Sequence, residues 1–91
     1  MLVRLDEMKQ YLRVDSSDDD ILLLTLLESA EKLCVHVARL EENEVEVYQE
    51  ELKTAVLYTV AYWYENREEA DHHTLTLTLR SLLFGIRKEE F

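Results

Sequence analysis

Hydrophobic residues recur along this chain at helical spacing, and the pattern predicts four helices. Leu5, Met8 and Leu12 stand at i, i+3 and i+7, which predicts a short first helix. A long second helix is predicted from about Asp18 to about Leu40, because apolar residues gather on one of its faces and polar residues on the other. Much of the N-terminal half of the chain is therefore predicted to be helical.

The third predicted helix, from Leu52 to about Glu68, is apolar on almost every side. One stripe runs from Leu52 to Trp63 at helical spacing and is expected to face a core. A second apolar strip, which includes Leu57 and Tyr64, lies beside the first. Since so short a chain can hardly bury both strips by itself, the pattern predicts that copies of the chain cover the second strip.

In two connections between the predicted helices, residue types alternate with the two-residue period of a β-strand. Residues 44–47 read Glu-Val-Glu-Val, although an extension of the third helix fits them almost as well. The leucines of residues 75–79 alternate with threonines, and this segment could pair with residues 44–48 as a short β-ribbon, within or between subunits. A short fourth helix is predicted after Thr78, its N-cap, and Gly85 is expected to end or weaken it.

These elements predict a mostly all-α fold, a compact bundle of about four helices with two long central ones, in a single domain over residues 1–91. One glycine and no proline also favour long helices, since sheet proteins need many tight turns. The residues expected in the core are Leu23, Leu27, Ala30, Cys34, Leu52, Val56, Val60, Trp63, Leu82 and Leu83. The residues expected at a subunit interface are Leu22, Leu24, Leu57, Tyr58, Tyr64, Glu65, Asn66 and Arg67.

Charge and cysteine content narrow the classes of function. The formal net charge is −10, from 20 acidic and 10 basic residues. That balance disfavours nucleic-acid binding, which needs clustered Lys and Arg, and it disfavours anionic membrane surfaces. No apolar run is long enough to predict a membrane span. A single cysteine cannot form an internal disulfide, and the N-terminus lacks a signal-peptide core, so an intracellular protein is expected.

No constellation of residues predicts catalysis, a cofactor or a bound metal. The run Asp18–Asp20 lacks the glycine and glutamate that an EF-hand loop needs, so we interpret it as the first turn of the second helix, capped by a preceding serine. His72 and His73 are adjacent and would point apart on a helix or strand. Because adjacent residues rarely chelate one ion together, we interpret them as part of a polar loop.

Three segments together resemble a known family. They are Leu5–Asp15 (LDEMKQYLRVD) with the acidic run that follows it, Leu52–Val56 (LKTAV) followed by Ala61–Glu68 (AYWYENRE), and Arg80–Arg87 (RSLLFGIR). Their order and spacing resemble the small head–tail connector proteins of long-tailed bacteriophages, also described as adaptor, head-completion or DNA-packaging proteins. The resemblance covers nearly the whole chain, and the WYENRE helix end is its most specific part.

The resemblance implies a structural subunit, not an enzyme, that is assembled in the bacterial host cytoplasm and belongs to the head–tail junction of the virion. It implies a ring of copies, commonly a dodecamer, that docks beneath the portal protein and receives a stopper or tail-completion protein. DNA would pass through the ring without specific binding, and an acidic lumen would repel its phosphates. No cofactor and no membrane is implied.

Two other functions remain open from the sequence. A small acidic helical regulator or DNA mimic that binds a basic partner protein would also suit a net charge of −10. A metal-dependent helical enzyme would have to use His72, His73 and nearby carboxylates. Self-association of the purified protein would favour the connector, and a folded protein without metal would exclude the enzyme.

Overall fold

The fold is a bundle of α-helices, seen in a computed structural model that describes residues 2–66 and 71–84. In chain order the helices are α1 (Leu5–Leu12), α2 (Asp20–Ala38), α3 (Glu42–Val45), α4 (Gln49–Glu65) and α5 (His72–Leu82). They hold about three quarters of the described residues. The predicted mostly α-helical bundle is confirmed, and α2 and α4 are its two long helices.

The core lies between α2 and α4 and is completed by α1 and α5. Its apolar residues recur at helical spacing on one face of each long helix, so each helix buries that face against the other elements. Eight of the ten residues predicted for the core are buried, namely Leu23, Leu27, Ala30, Cys34, Leu52, Val56, Val60 and Leu83. Burial of one such leucine side chain contributes about 1.5–3 kcal/mol to folding.

Charged side chains tie α1 to both long helices. Lys9 Nζ lies 2.8 Å from Asp20 Oδ1 at the start of α2, and both side chains are largely shielded from solvent. Glu7 binds Lys53 of α4 and also accepts the backbone N–H of Arg4 at 3.1 Å. These bonds, chiefly the one from Lys53, hold the pKa of Glu7 below its ordinary value. Glu7 therefore supplies a hydrogen-bond acceptor at the N-terminus of α1, a role that the positively charged Arg4 side chain cannot fill.

Both α1 and α2 end on an arginine in the left-handed conformation, a position that glycine usually holds. Arg13 has φ 60° and Arg39 has φ 57°. In each case the N–H of the next residue donates to a carbonyl in the last turn, at 2.9 Å after Arg13 and at 3.3 Å after Arg39. This conformation costs a residue with a Cβ about 1–2 kcal/mol, so glycine would adopt it more easily.

The possible β-ribbon does not form among the described residues, because both of its segments are helical or lie in a turn. Residues 44–48 belong to α3 and the turn that leads into α4, while residues 74–79 lie within α5. The hydroxyls of Thr76 and Thr78 in α5 donate to carbonyls four residues earlier, at 2.8 Å and 3.1 Å respectively. Since these bonds satisfy the hydroxyls inside the helix, alternating threonine and leucine does not require a strand.

The last described helix begins earlier than predicted because Asp71 caps it. The Asp71 carboxylate accepts two backbone N–H groups of the first turn, at 2.9 and 3.2 Å. Hydrogen bonds from Thr74, first of all from its backbone, and from His73 hold the pKa of Asp71 below its ordinary value. Thr78 is therefore inside α5 and is not its N-cap. The predicted end at Gly85 lies outside the described residues.

Two residues predicted for the core lie at its edge instead. Because α5 starts at His72, Leu75 and Leu79 set the phase of its buried face, and Leu82 turns outward with 46% of its surface exposed. Trp63 is half-buried and packs against the core from its margin. Trp63 therefore packs on the core without being fully buried by the described residues.

The described bundle is thin, with extents of 46 × 28 × 17 Å. A helix with its side chains is about 10 Å in diameter, so the shortest extent holds about two layers of helices. A body this thin cannot cover every apolar side chain of its sequence. Within residues 2–66 and 71–84, the large apolar side chains that stay exposed are Tyr11, Ile21, Leu24, Val47, Leu77, Leu82 and Phe84.

Candidate subunit interface

The predicted interface residues of α2 stand beside its buried face. Leu22 is half-buried and Leu24 is exposed. Next to them lies Ile21, which was not predicted for the interface and is 82% exposed. Residues two apart lie on opposite sides of a helix, so burial of Leu23 turns Ile21 outward. The start of α2 thus leaves large apolar side chains uncovered by the described part of the chain.

The predicted tyrosines of α4 have roles within one copy of the chain. Leu57 and Tyr58 are half-buried and pack against the core. Tyr58 also stacks on Tyr62, with ring centroids 6.4 Å apart and planes 12° from parallel. The hydroxyl of Tyr64 donates to Asp19 Oδ2 at 2.6 Å and joins the end of α4 to the start of α2. Part of the second apolar strip therefore serves the fold.

The C-terminal end of α4 is closed by side chains and docks the start of α5. Asn66 donates its side-chain amide to the carbonyl of Tyr62 at 2.9 Å, while Glu65 is exposed. The hydroxyl of Tyr62 accepts the backbone N–H of Asp71 at 2.9 Å. Arg67, the last of the predicted interface residues, lies outside the described residues.

An exposed face of α5 was missed by the prediction from sequence. Leu77, Arg80 and Phe84 stand at i, i+3 and i+7, so they share one side of α5 and the turn after it. Leu77 is 51% exposed and Phe84 is 73% exposed. Interpretation of residues 75–79 as a strand obscured this face, which helical spacing reveals.

Positive charge collects in a crevice between the end of α2 and α5. The crevice has a volume of about 130 Å³, and His36, Arg39 and Arg80 contribute its basic side chains. Lysines 9, 32 and 53 and Arg4 have carboxylate partners, whereas these two arginines form no ion pair with any residue in the described ranges. The crevice is therefore a basic surface on a strongly acidic chain.

An open groove of about 920 Å³ follows the outward face of α2. Most of its lining residues have ionisable side chains, namely Glu28, Glu31, Lys32, His36 and Arg39. Sites for small molecules are usually enclosed and mostly apolar, with few polar groups. An open, charged helix face fits contact with a protein surface better than it fits a substrate site.

Cys34 is buried and paired with a hydroxyl. Its sulfur lies 3.6 Å from Thr59 Oγ1, and Thr59 in turn donates to the carbonyl of Ala55 at 2.7 Å. Since a hydroxyl has one hydrogen, the thiol is left to donate to Thr59. Burial raises the pKa of the Cys34 thiol to about 11. A thiol that stays protonated in the core has a structural role and is a poor nucleophile.

The residues considered for metal binding do not form a site in the described ranges. Within residues 2–66 and 71–84, no group of three or more His, Cys, Asp or Glu side chains could hold a metal ion. His72 and His73 are exposed in the first turn of α5, where a polar loop was expected. None of the helices in these ranges combines the length and apolarity needed to span a membrane.

A thin helical bundle with uncovered apolar faces is typical of a subunit that assembles with other proteins. Residues 3–89 match the model of a family described as Phage gp6-like head-tail connector protein. The chain belongs to this family, which confirms the resemblance found in its sequence. No curated protein and no solved structure matches the chain. The family implies a structural role at the head–tail junction of a phage virion, in assembly with other head or tail proteins.

Proposed function

We propose that this chain forms a closed ring that completes the head of a tailed phage or prophage and links it to the tail. The ring, a dodecamer in the virion, docks beneath the portal protein and receives a stopper or tail-completion protein. The match of residues 3–89 to the connector family carries this proposal. The copies are assembled in the bacterial host cytoplasm.

Exposed apolar side chains on two separate elements support a ring. Each copy in a ring meets one neighbour on either side, so it needs two different contact surfaces. Ile21 and Leu24 supply apolar surface at the start of α2, while Leu77 on α5 and Phe84 in the turn after it supply a second apolar surface. The predicted interface stays part of the proposal, from Leu22 and Leu24 on α2 through Leu57 and Tyr58 to residues 64–67.

The charge of the chain supports passage of DNA without binding. A ring whose subunits each carry −10 presents many carboxylates, and carboxylates repel the phosphates of the duplex. DNA can then slide through the channel without being held by it. We therefore propose that carboxylates, and not lysines or arginines, line the channel wall.

Deletion of the gene for this chain from its phage tests the proposal. We expect heads and tails to accumulate unjoined, and expression of the chain from a plasmid to restore joined, infectious particles. An empty plasmid is the control. Joined particles formed without the chain would contradict a connector role. A monomeric chain that binds a basic host protein and leaves joining unaffected would favour the acidic regulator or DNA mimic instead.

A further inference from the structure

The basic crevice has the properties of a docking surface. We propose that it binds the acidic corner of a neighbouring copy, residues 15–21 between α1 and α2, so that these two surfaces form the contact that repeats around the ring. This inference rests on the proposed function and names the surfaces through which the copies meet.

The charges of the crevice have no partner in the described part of the chain. Arg39 at the end of α2 and Arg80 on α5 line it together with His36. Neither arginine forms an ion pair with a described residue. Arg39 is also held at φ 57°, where glycine would cost less. Arg13 shares this conformation, so it is the place of Arg39 in the crevice beside Arg80 that sets this arginine apart.

The surroundings of the crevice favour a protein as its occupant. Leu77 and Phe84 flank Arg80 on the same side of α5, and both are more than half exposed. Interface centres are enriched in arginine and aromatic residues, and contact with another protein would bury these side chains. A DNA backbone would bind the arginines but would leave the apolar side chains uncovered.

The corner between α1 and α2 is complementary to the crevice in charge and in apolar character. Asp15 and Asp18 are exposed there, and neither forms an ion pair with a residue of the described ranges. Ile21 follows them and is 82% exposed. The carboxylates suit the two arginines, while the isoleucine suits the apolar side chains of α5.

The positions of the two surfaces exclude their meeting within one copy. The corner precedes α2 and the crevice lies at its other end, and the 19 residues of α2 separate its ends by about 27 Å. Contact between the surfaces therefore joins two copies head to tail, the type of contact from which rings are built. The other acidic segment, α3, starts three residues after Arg39 and so stands at the same end of α2 as the crevice. It therefore cannot supply the acidic surface at the opposite end of α2 that a head-to-tail contact needs.

A charge swap tests the contact in the complementation assay, where the whole chain assembles on phage heads. We expect Arg80→Glu and Asp18→Arg each to lower the yield of joined particles about tenfold or more, because like charges then face each other. The double variant restores the opposite charges, so we expect its yield to return close to that of the wild type. Arg4→Glu makes the same change of charge as Arg80→Glu at an exposed site just before α1, and we expect it to have little effect.

A pair of glycine substitutions separates assembly from folding. Arg39→Gly and Arg13→Gly both relieve a left-handed arginine, so we expect both variants to be at least as stable as the wild type. Only Arg39→Gly removes a charge from the crevice, and we expect it alone to lower the yield of joined particles. Removal of Arg13 leaves the acidic corner more negative and should not weaken the contact.

Several results would overturn the inference, each distinct from failure of the proposed function. If the wild type complements and folded Arg80→Glu and Arg39→Gly also complement fully, the crevice has no role in assembly. If both single charge variants fail and the double variant is not restored, the crevice binds a different protein. If Arg80→Glu lowers only the affinity for duplex DNA, the occupant is DNA. Failure of the wild type itself to complement would instead contradict the proposed function.

Discussion

At the level of single residues, the polar groups inside the bundle have hydrogen-bond partners. Among the described residues, no buried side-chain nitrogen or oxygen lacks a hydrogen bond. Thr59 is the buried polar side chain of α4. It donates to the carbonyl of Ala55 within the same helix, and its contact with Cys34 joins α4 to α2. Because an unpaired buried hydroxyl would cost free energy, this arrangement helps to specify how α2 and α4 pack.

Cys34 should resist alkylation in the native protein. Its thiol pKa is raised from 9.0 to about 11, so little thiolate forms at pH 8, and burial also blocks the reagent. Folding favours the neutral thiol, and its contribution to stability is full below pH 9 and is lost as the pH rises through about 11. Mass spectrometry after iodoacetamide treatment would measure this, with urea-unfolded protein as the control. Rapid modification of the native protein would contradict the buried pair.

Asp71 should stabilise α5 through its side-chain oxygen. We expect Asp71→Ala to lower the melting temperature by a few degrees, since two N–H groups lose their acceptor. Asp71→Asn keeps that acceptor and is the matched control, with a smaller expected effect. Thermal unfolding followed by circular dichroism would measure both, and equal effects of the two substitutions would count against the cap.

The stabilisation by Asp71 should also depend on pH, because its carboxylate is charged. Its pKa lies below the ordinary 3.8 in the folded protein, so the ionised form is favoured by folding. The resulting stabilisation is present above pH 3.8 and is lost as the pH falls through the lowered pKa. The difference in melting temperature between the wild type and Asp71→Asn should therefore shrink in acid.

At the level of helices, the sequence predicted the long elements well and the connections poorly. The apolar faces of α2 and α4 repeat over several turns, and both helices occur close to the predicted ranges. The residues of α5 alternate over a short distance and fit two periods equally. Its cap at Asp71 decides in favour of the helix, because it starts the helix early enough for Leu75 and Leu79 to reach the core.

The candidate interface could be predicted only in part for the same reason. Leu24 is exposed on α2, as an interface residue must be. The hydroxyl of Tyr64 bonds to Asp19, a contact over 45 positions of sequence that no local pattern reveals. Leu77 and Phe84 were missed because their shared side depends on where α5 begins. The basic crevice forms only because α2 and α5 lie side by side, and the sequence pattern does not show that they do.

Matched leucine substitutions on α2 should separate folding from assembly. Leu27 is buried, so Leu27→Ala should lower the free energy of unfolding by about 2–5 kcal/mol. Leu24 is exposed, and Leu24→Ala should change that free energy by only about 0.5 kcal/mol while it weakens assembly. Urea unfolding would measure the first effect, and the complementation assay the second. Similar losses of stability in the two variants would contradict the assignment of faces.

At the level of the whole molecule, thinness and charge together suit a ring around DNA. A bundle about two helices thick leaves apolar side chains uncovered, and a net charge of −10 repels the phosphates of a DNA duplex. The assembled protein should therefore show no measurable affinity for duplex DNA at physiological salt. Fluorescence anisotropy with labelled duplex would measure this, and salt-sensitive binding would contradict a channel wall of carboxylates.

Electron cryomicroscopy of the head–tail junction in particles that contain this chain tests the connector role most directly. We expect one closed ring of copies between the portal and the next tail protein, with DNA in its channel. We also expect Arg39 and Arg80 of each copy to face residues 15–21 of the next copy. The connector role would be wrong if this chain were absent from the junction, or were present there without forming a closed ring.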